Sequence, residues 1–357
     1  MPRKYRGATA VPALLALSVA VSACGGGSKA GTKVTPAPPR PTATPVALTP
    51  QLAADRFRSW TVNDDVARAS GDERLALSWV VDGQYSLTAA EFRKASHDGD
   101  PVPRFTFGKP TFYVPRFQEV KTYPQWFVAS VPRTELGKPK STRTALMAFI
   151  LRSPGDRWKL SVETDLDPKA KQPKVVLDAQ GYATALATGD TSVLIRPRDL
   201  PGIQATIAAE GPSSVASKVM ASGPVTTGMN ADIQAARKKA RHQGLGFSSV
   251  VVATPYPIFA LRAEHGGALV LYSLFRNNDL YVKGKDRPKR KPPIPPETAH
   301  LLDGTVPGYE IDYTETLQLA ASDPANPGKG DANPPKADVI GFFGTISKAD
   351  APLPKAN

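Results

Sequence analysis

Residues 125–164 read QWFVASVPRTELGKPKSTRTALMAFILRSPGDRWKLSVET and contain three runs rich in Val, Ile, Phe and Trp. Gly and Pro fill the two breaks between the runs, at residues 137–140 and 154–156. Aromatic and β-branched residues favour strands, whereas Gly and Pro favour turns. The stretch therefore predicts three consecutive antiparallel strands joined by short turns. The predicted strands cover residues 125–133, 142–152 and 157–164.

The residues before these strands have helical spacing. Leu52, Phe57, Trp60 and Val66 recur at intervals that place them on one side of a helix. Helices that are followed by an antiparallel meander define an α+β domain, with a sheet that curls around its helices. We therefore predict a first α+β domain over residues 51–170. Its further elements are helices at residues 72–81 and 87–95 and a strand at residues 105–114.

The same order of elements recurs towards the C-terminus, without residue-level identity between the halves. The pattern predicts a second α+β domain over residues 171–350 and a disordered tail over residues 351–357, and a single large α+β domain is the alternative. Glu264-His265-Gly266-Gly267 is typical of a hairpin turn. The predicted helices cover residues 175–186, 201–209 and 231–241, and the predicted strands cover residues 248–253, 258–264, 269–275, 309–320 and 339–347.

The N-terminus has the pattern of an export signal. Basic residues precede an uncharged apolar run, which ends at Val21-Ser22-Ala23-Cys24. Residues 1–23 are predicted to be a lipoprotein signal peptide, with a lipobox of Val21, Ser22 and Ala23 before the lipidated Cys24. We expect Cys24 to carry the lipid, palmitate included, that anchors the chain in the bilayer at the outer face of the cell membrane. Residues 24–50, rich in Gly, Pro and Thr, are predicted to be a disordered tether.

Charge and cysteine content narrow the function classes. Cys24 is the only cysteine, so thiol catalysis and cysteine metal sites are excluded. The formal net charge is +13, but much of it is local, and an exported protein rarely meets nucleic acid. Residues 283–293 form a predicted basic loop, which is either a solubilising insertion or a contact for anionic lipid or wall polymer. Its basic residues are Lys283, Lys285, Arg287, Lys289, Arg290 and Lys291.

Catalytic and metal-binding motifs are not evident in the sequence. The four histidines are widely spaced and none forms H-E-x-x-H, and no nucleophile elbow or phosphate-binding loop occurs. We therefore predict no metal site, no catalytic residue and no cofactor. Two carboxylates lie on predicted strands where they could face a cavity, Glu163 and Glu315. The alternative is that each is a rim residue that reaches solvent.

Three short segments resemble the opening of a family of uncharacterised actinobacterial lipoproteins. They are Asn63-Asp64-Asp65-Val66-Ala67, Gly71-Asp72-Glu73-Arg74-Leu75 and Val80-Val81-Asp82-Gly83. The element order of each half is similar to the cystatin-like or NTF2-like α+β roll. The resemblance implies two tandem rolls, and it brings no activity with it, because such rolls serve as enzymes, ligand binders and adaptors alike.

The function predicted first is a non-catalytic binding or scaffold module of the cell envelope. Its partners would be an envelope protein or an anionic wall polymer, and not nucleic acid. One alternative is an NTF2-like small-ligand carrier or cavity enzyme, and another is the solute-binding lipoprotein of a transporter. Trp60, Trp79, Trp126 and Trp158 fall on periodic apolar positions and are predicted to be core residues, with a sugar-stacking platform as the alternative.

Overall fold

Three helices lead into the first sheet in the computed structural model of the chain. The structure describes residues 46–117, 122–284, 291–302, 304–305, 308–328 and 335–352. Helix α1 begins where the Thr49 hydroxyl accepts the backbone N–H of Leu52 at 3.1 Å, and it ends at Gly71, whose φ of 66° suits glycine. These elements are α1 (Pro50–Ser70), α2 (Glu73–Leu77), α3 (Asp82–Asp98), β1 (Phe105–Phe107), β2 (Thr111–Tyr113), β3 (Gln125–Glu135), β4 (Arg143–Leu151) and β5 (Lys159–Asp165).

Two helices precede the strands of the second sheet. The elements are α4 (Leu200–Glu210), α5 (Thr227–His242), β6 (Leu245–Ala253), β7 (Phe259–Arg262), β8 (Ala268–Val282), α6 (Ala299–Leu302), β9 (Glu310–Asp323) and β10 (Asp338–Asp350). The strand order is β1-β3-β4-β5 in the first sheet, with β2 also beside β3. In the second sheet the order is β10-β9-β8-β6, with β7 also beside β8. Every ladder between these described strands is antiparallel.

The two sheets face each other, and helices cover their outer faces. Apolar residues of both sheets form one cluster between them, so each sheet is buried on two sides. That cluster includes Val128, Leu146, Ile150 and Val162 of the first sheet and Phe259, Leu261, Leu269 and Leu271 of the second. Phe57 and Trp60 of α1 pack on the far face of the first sheet. Residues of α4 and α5 pack on the far face of the second.

The structure confirms the α+β class, with two antiparallel sheets. The hairpin turn at residues 264–267 is also confirmed, because β7 and β8 pair on either side of it. The cystatin-like or NTF2-like roll and the division near residue 170 stay predictions. The described residues, from 46 to 352, belong to one compact unit. Within that unit Leu48 and Ala351, near its two ends, are both buried.

The predicted helix over residues 175–186 is wrong. The segment runs in a largely extended path and joins its neighbours through single bridges, Val175 with Ala263 and Ala185 with Leu261. A turn interrupts it, because the Asp178 carboxylate accepts backbone N–H groups two and four residues on, each at 2.9 Å. An aspartate that binds the backbone in this way competes with helix formation.

The helices of the described ranges include no candidate membrane span. None of them is both long enough and apolar enough to cross a bilayer.

Candidate functional site

The edge strands of the two sheets meet and then separate. The backbone N–H of Asp167, just after β5, donates to the carbonyl of Ile340 in β10 at 2.8 Å, and Leu166 bridges with Gly341. A Cβ at position 341 would lie 2.8 Å from the carbonyl oxygen of Asp165, so this close approach requires glycine. Beyond it the strands diverge, and α3 packs against both of them.

A pocket of about 350 Å³ lies in this opening, and we call it the seam pocket. Its wall residues come from both sheets and from three helices, so the pocket exists only in the assembled fold. Apolar surface is supplied by Leu87 and Ala90 of α3, by Phe105 and by the half-exposed Phe343 of β10. The polar side chains that line it are Arg68, Gln84, Glu91, Lys94, Arg133, Glu163, His300 and Thr345.

Arg68 is buried at the seam pocket and is fully paired. Its guanidinium donates to Asp64 at 2.8 Å, to Glu91 at 2.9 Å and to the carbonyl oxygen of Pro103 at 3.0 Å. Burial acts to lower the pKa of the Arg68 guanidinium, but the charges of Glu91 and Asp64 outweigh it and raise the pKa above its ordinary value. Arg68 is therefore a fixed cation whose charge is matched by two carboxylates.

Arg133 repeats this arrangement on β3. Its guanidinium donates to Glu163 and to both carboxylate oxygens of Asp165, at 3.0 and 3.1 Å. The ring of Phe105 contacts both guanidiniums, with Arg133 at 4.5 Å and Arg68 at 5.1 Å from its centroid. Cations near an aromatic face are stabilised by the ring's quadrupole. The pocket wall is thus a rigid network in which every buried charge has a partner.

This network limits the chemistry that the seam pocket can perform. A general acid or base needs a titratable group that is free to exchange a proton, whereas Glu163 is held against Arg133. Burial lowers the pKa of His300, which favours the neutral ring at neutral pH. Neither arginine has charge left over for an anion. What remains is apolar surface bordered by hydrogen-bonding groups in fixed positions.

The structure separates the two predicted cavity carboxylates. Glu163 lines the seam pocket, as a paired carboxylate 4% exposed. Glu315 lies on β9, where it accepts a hydrogen bond from Asn278 at 3.1 Å and approaches Arg276 at 3.6 Å. Burial raises the pKa of Glu315, and this residue does not line the seam pocket. That either carboxylate serves as a cavity acid stays a prediction.

Most of the other predicted site residues lie outside the described ranges. This applies to Val21, Ser22, Ala23 and Cys24, and to Lys285, Arg287, Lys289 and Arg290 of the basic loop. Lys283 and Lys291, at the ends of that loop, are exposed. Within the described ranges, no group of three or more His, Cys, Asp or Glu side chains is arranged to hold a metal ion.

Sequence reasoning missed the paired arginines, although the sequence contains a signal for one of them. Phe57, Trp60, Asp64 and Arg68 follow one another at helical spacing, so two charged residues continue an apolar stripe. Charges at core positions four residues apart indicate a buried ion pair. Arg133 carries no comparable signal, because its partners lie on another strand.

Comparison with known proteins places the chain in a family. Residues 43–349 match a family described as a domain of unknown function, DUF8094, and the chain belongs to that family. The chain is also 28% identical over 300 residues to an uncharacterised lipoprotein of Streptomyces coelicolor, with 78% of each chain covered. These matches support an uncharacterised lipoprotein family. No solved structure matches the chain.

Proposed function

We propose that this lipoprotein binds a small ligand of no net charge in the seam pocket and does not transform it. Its lipid on Cys24 would hold it at the outer face of the cell membrane, after removal of residues 1–23. The lipoprotein name of its relative and the Val21-Ser22-Ala23-Cys24 segment support the anchor. The two α+β halves would each correspond to a cystatin-like or NTF2-like roll, which is a frequent framework for such binding.

The pairing of the buried charges carries this proposal. Arg68 and Arg133 each hold two carboxylates, so both guanidiniums are already paired and neither is free to bind an anionic ligand. An anionic ligand would have to break a buried ion pair to reach either guanidinium, which leaves an uncompensated charge and costs several kcal/mol. A neutral ligand with an apolar body and a few polar groups fits without that cost. The volume of about 350 Å³ lies within the range of small-molecule sites.

Native mass spectrometry of the full lipidated chain, purified in mild detergent from the membranes of its own host, tests the proposal. We expect a defined small mass to remain on the protein. Thr345→Trp would fill the pocket mouth and abolish retention, because Thr345 lines the pocket and is exposed. Lys348→Trp is the matched control, since Lys348 is exposed on the same strand outside the pocket. A bare wild-type protein, or equal retention by Thr345→Trp, contradicts the proposal.

One observation favours a second candidate, the scaffold function. Phe342 and Phe343 are 47% and 37% exposed on the edge strand β10. Edge strands with apolar side chains are a common place for another protein to dock. A photo-crosslinking residue at position 342 in living cells tests this, and a single crosslinked envelope protein would support it. The solute-binding alternative draws no support from sheets whose described ladders are all antiparallel.

A further inference from the structure

A second pocket, of about 470 Å³, lies between the start of α1 and the turn that joins β4 to β5. We call it the aromatic pocket. Trp79, Tyr123 and Trp158 line it, and each comes from a different part of the first half of the chain. Arg56 of α1 and Arg157 of the turn also line it, and both are exposed. It shares no lining residue with the seam pocket.

The arginines of the aromatic pocket differ from those of the seam pocket. Neither Arg56 nor Arg157 makes an ion pair with any carboxylate in the described part of the chain. Arg157 is nevertheless held in place, because its guanidinium carbon lies 4.3 Å from the centroid of the Trp79 ring. One of its N–H groups donates to the Ser78 hydroxyl at 3.0 Å. A guanidinium has five N–H donors, so most of them remain for a ligand.

The charge of the aromatic pocket is therefore positive. Asp156 is the one acidic residue among its lining side chains, against two arginines. Its carboxylate accepts a hydrogen bond from Ser153 at 2.5 Å and is exposed. An oriented guanidinium binds phosphate through two parallel hydrogen bonds, which a flexible lysine does not. The aromatic side chains add a surface on which the C–H face of a sugar ring packs.

We infer that the aromatic pocket binds a phosphorylated sugar or polyol, with the phosphate on Arg56 and Arg157 and the carbon skeleton against Trp79 and Tyr123. This site is independent of the seam pocket and of the neutral ligand proposed there. Two envelope components share this chemistry, the polyol phosphate head group of a phospholipid and the repeating unit of a wall polymer. Both carry the anion and the hydroxylated skeleton in one small unit.

Titration of the full lipidated chain in neutral detergent tests the inference, with native mass spectrometry as the readout. Glucose 6-phosphate should bind saturably, and glucose or inorganic phosphate alone should bind at least tenfold more weakly. Arg56→Gln and Arg157→Gln should each weaken the binding of glucose 6-phosphate about tenfold. Arg58→Gln is the matched control, because Arg58 is exposed on the same helix and pairs with Asp55. That variant should bind like wild type.

Two further arms identify the source of the ligand. Short-chain phosphatidylglycerol that displaces glucose 6-phosphate would assign the site to a lipid head group, and displacement only by soluble poly(glycerol phosphate) would assign it to a wall polymer. Either result supports the shared chemistry. No saturable binding of glucose 6-phosphate, or equal binding by Arg56→Gln, Arg157→Gln and wild type, overturns the inference. Thr345→Trp should leave the binding of glucose 6-phosphate unchanged. A failure of the inference about the aromatic pocket can therefore be told apart from a failure of the proposal for the seam pocket.

Discussion

The side-chain oxygen of Gln318 accepts the backbone N–H of Glu163 at 2.8 Å, although the two residues lie 155 positions apart. The same amide donates through its nitrogen to the carbonyl of Ser161 at 3.0 Å. A side chain of the second sheet thus satisfies two backbone groups of β5, the edge strand of the first sheet. Gln318 has no exposed surface, so water does not compete for these bonds.

Replacing Gln318 by Leu should destabilise the protein strongly. The substitution leaves a buried N–H and a buried carbonyl without partners, and each such group costs about 1–3 kcal/mol. We expect the free energy of unfolding of the 42–357 unit to fall by about 2–6 kcal/mol in urea denaturation, if the two losses add. Gln243→Leu, at an exposed position, should change it by less than about 0.5 kcal/mol. Equal effects would show that the amide bridge contributes nothing.

Replacing Arg133 by Met should cost about 3–5 kcal/mol, because it leaves the buried Glu163 without its cation. Adding Glu163→Gln and Asp165→Asn should recover part of the loss, since no uncompensated charge then remains. Urea denaturation of Arg133→Met and of the triple variant measures both effects. Arg93→Met, which breaks an exposed pair with Glu73, should cost less than about 1 kcal/mol. A triple variant as unstable as Arg133→Met alone would contradict this account.

Three aspartates lie side by side across the second sheet, because Asp312 of β9 pairs in register with Asp279 of β8 and Asp350 of β10. Burial, together with the charges of Glu310, Asp279 and Asp350, raises the pKa of Asp312 to about 6. The folded state therefore holds a proton that the unfolded chain releases near pH 4. The contribution of Asp312 to the free energy of unfolding is fully present below pH 4, and it is lost as the pH rises through about 6.

Asp312→Asn should therefore stabilise the protein by about 1 kcal/mol at pH 8, where partial exposure screens the repulsion, and should give no gain at pH 3.5. Asp65→Asn is the control of opposite sign, because the hydrogen bond from Arg104 lowers the pKa of Asp65. It should lose stability at pH 8. Thermal unfolding at both pH values measures the two variants. A gain for Asp312→Asn that does not change with pH would exclude titration as its cause.

Tyr272→Phe should lower the free energy of unfolding, because Tyr272 is buried in the core between the second sheet and its helices. The Tyr272 hydroxyl donates to the side-chain oxygen of Gln204, whose nitrogen donates to the carbonyl of Val225 at 2.7 Å. Removing the hydroxyl leaves the Gln204 oxygen buried and unpaired, at a cost of about 1–3 kcal/mol. Urea denaturation should show this loss and almost none for Tyr85→Phe, at a position 48% exposed. Similar values for both variants would refute the role of this chain of bonds.

Cys24→Ser should release the protein from the membrane. The serine hydroxyl does not replace the thiol that carries the lipid in the predicted anchor. Labelled palmitate should enter the wild-type chain and not the variant, and detergent phase partitioning should move the variant to the aqueous phase. Ser18→Ala, a small change inside the predicted signal, should leave both results as in wild type. Palmitate incorporation into Cys24→Ser would place the lipid elsewhere.

Sequence reasoning reached most of the elements, because their periodicity is strong. All three strands predicted within residues 125–164 exist, and their ends fall within two residues of the prediction. The segment 175–186 failed because its apolar residues match helical spacing while its path depends on partners far along the chain, such as Ala263. Periodicity reports which side of a segment is buried, and it does not report what the segment pairs with.

The candidate site was accessible from the sequence only in part. Glu163 lies on a strand between apolar Val162 and polar Thr164, so the sequence allows it to face either a cavity or a solvent-reaching rim, and the alternation of side chains alone does not decide between the two. Its pairing with Arg133 depends on the order of strands within the first sheet, and the contribution of Phe343 depends on how the two sheets meet. No local pattern encodes either arrangement, since Glu163 lies 30 positions from Arg133 and much farther along the chain from Phe343.

The apolar layer between the sheets has a consequence for how this family is inherited. Each sheet contributes one face to that layer, so a chain that lost either half would present an uncovered hydrophobic face to water. Neither half is then a portable module that recombination can move to another protein. The match of the family across residues 43–349, through both halves, is what such joint inheritance produces.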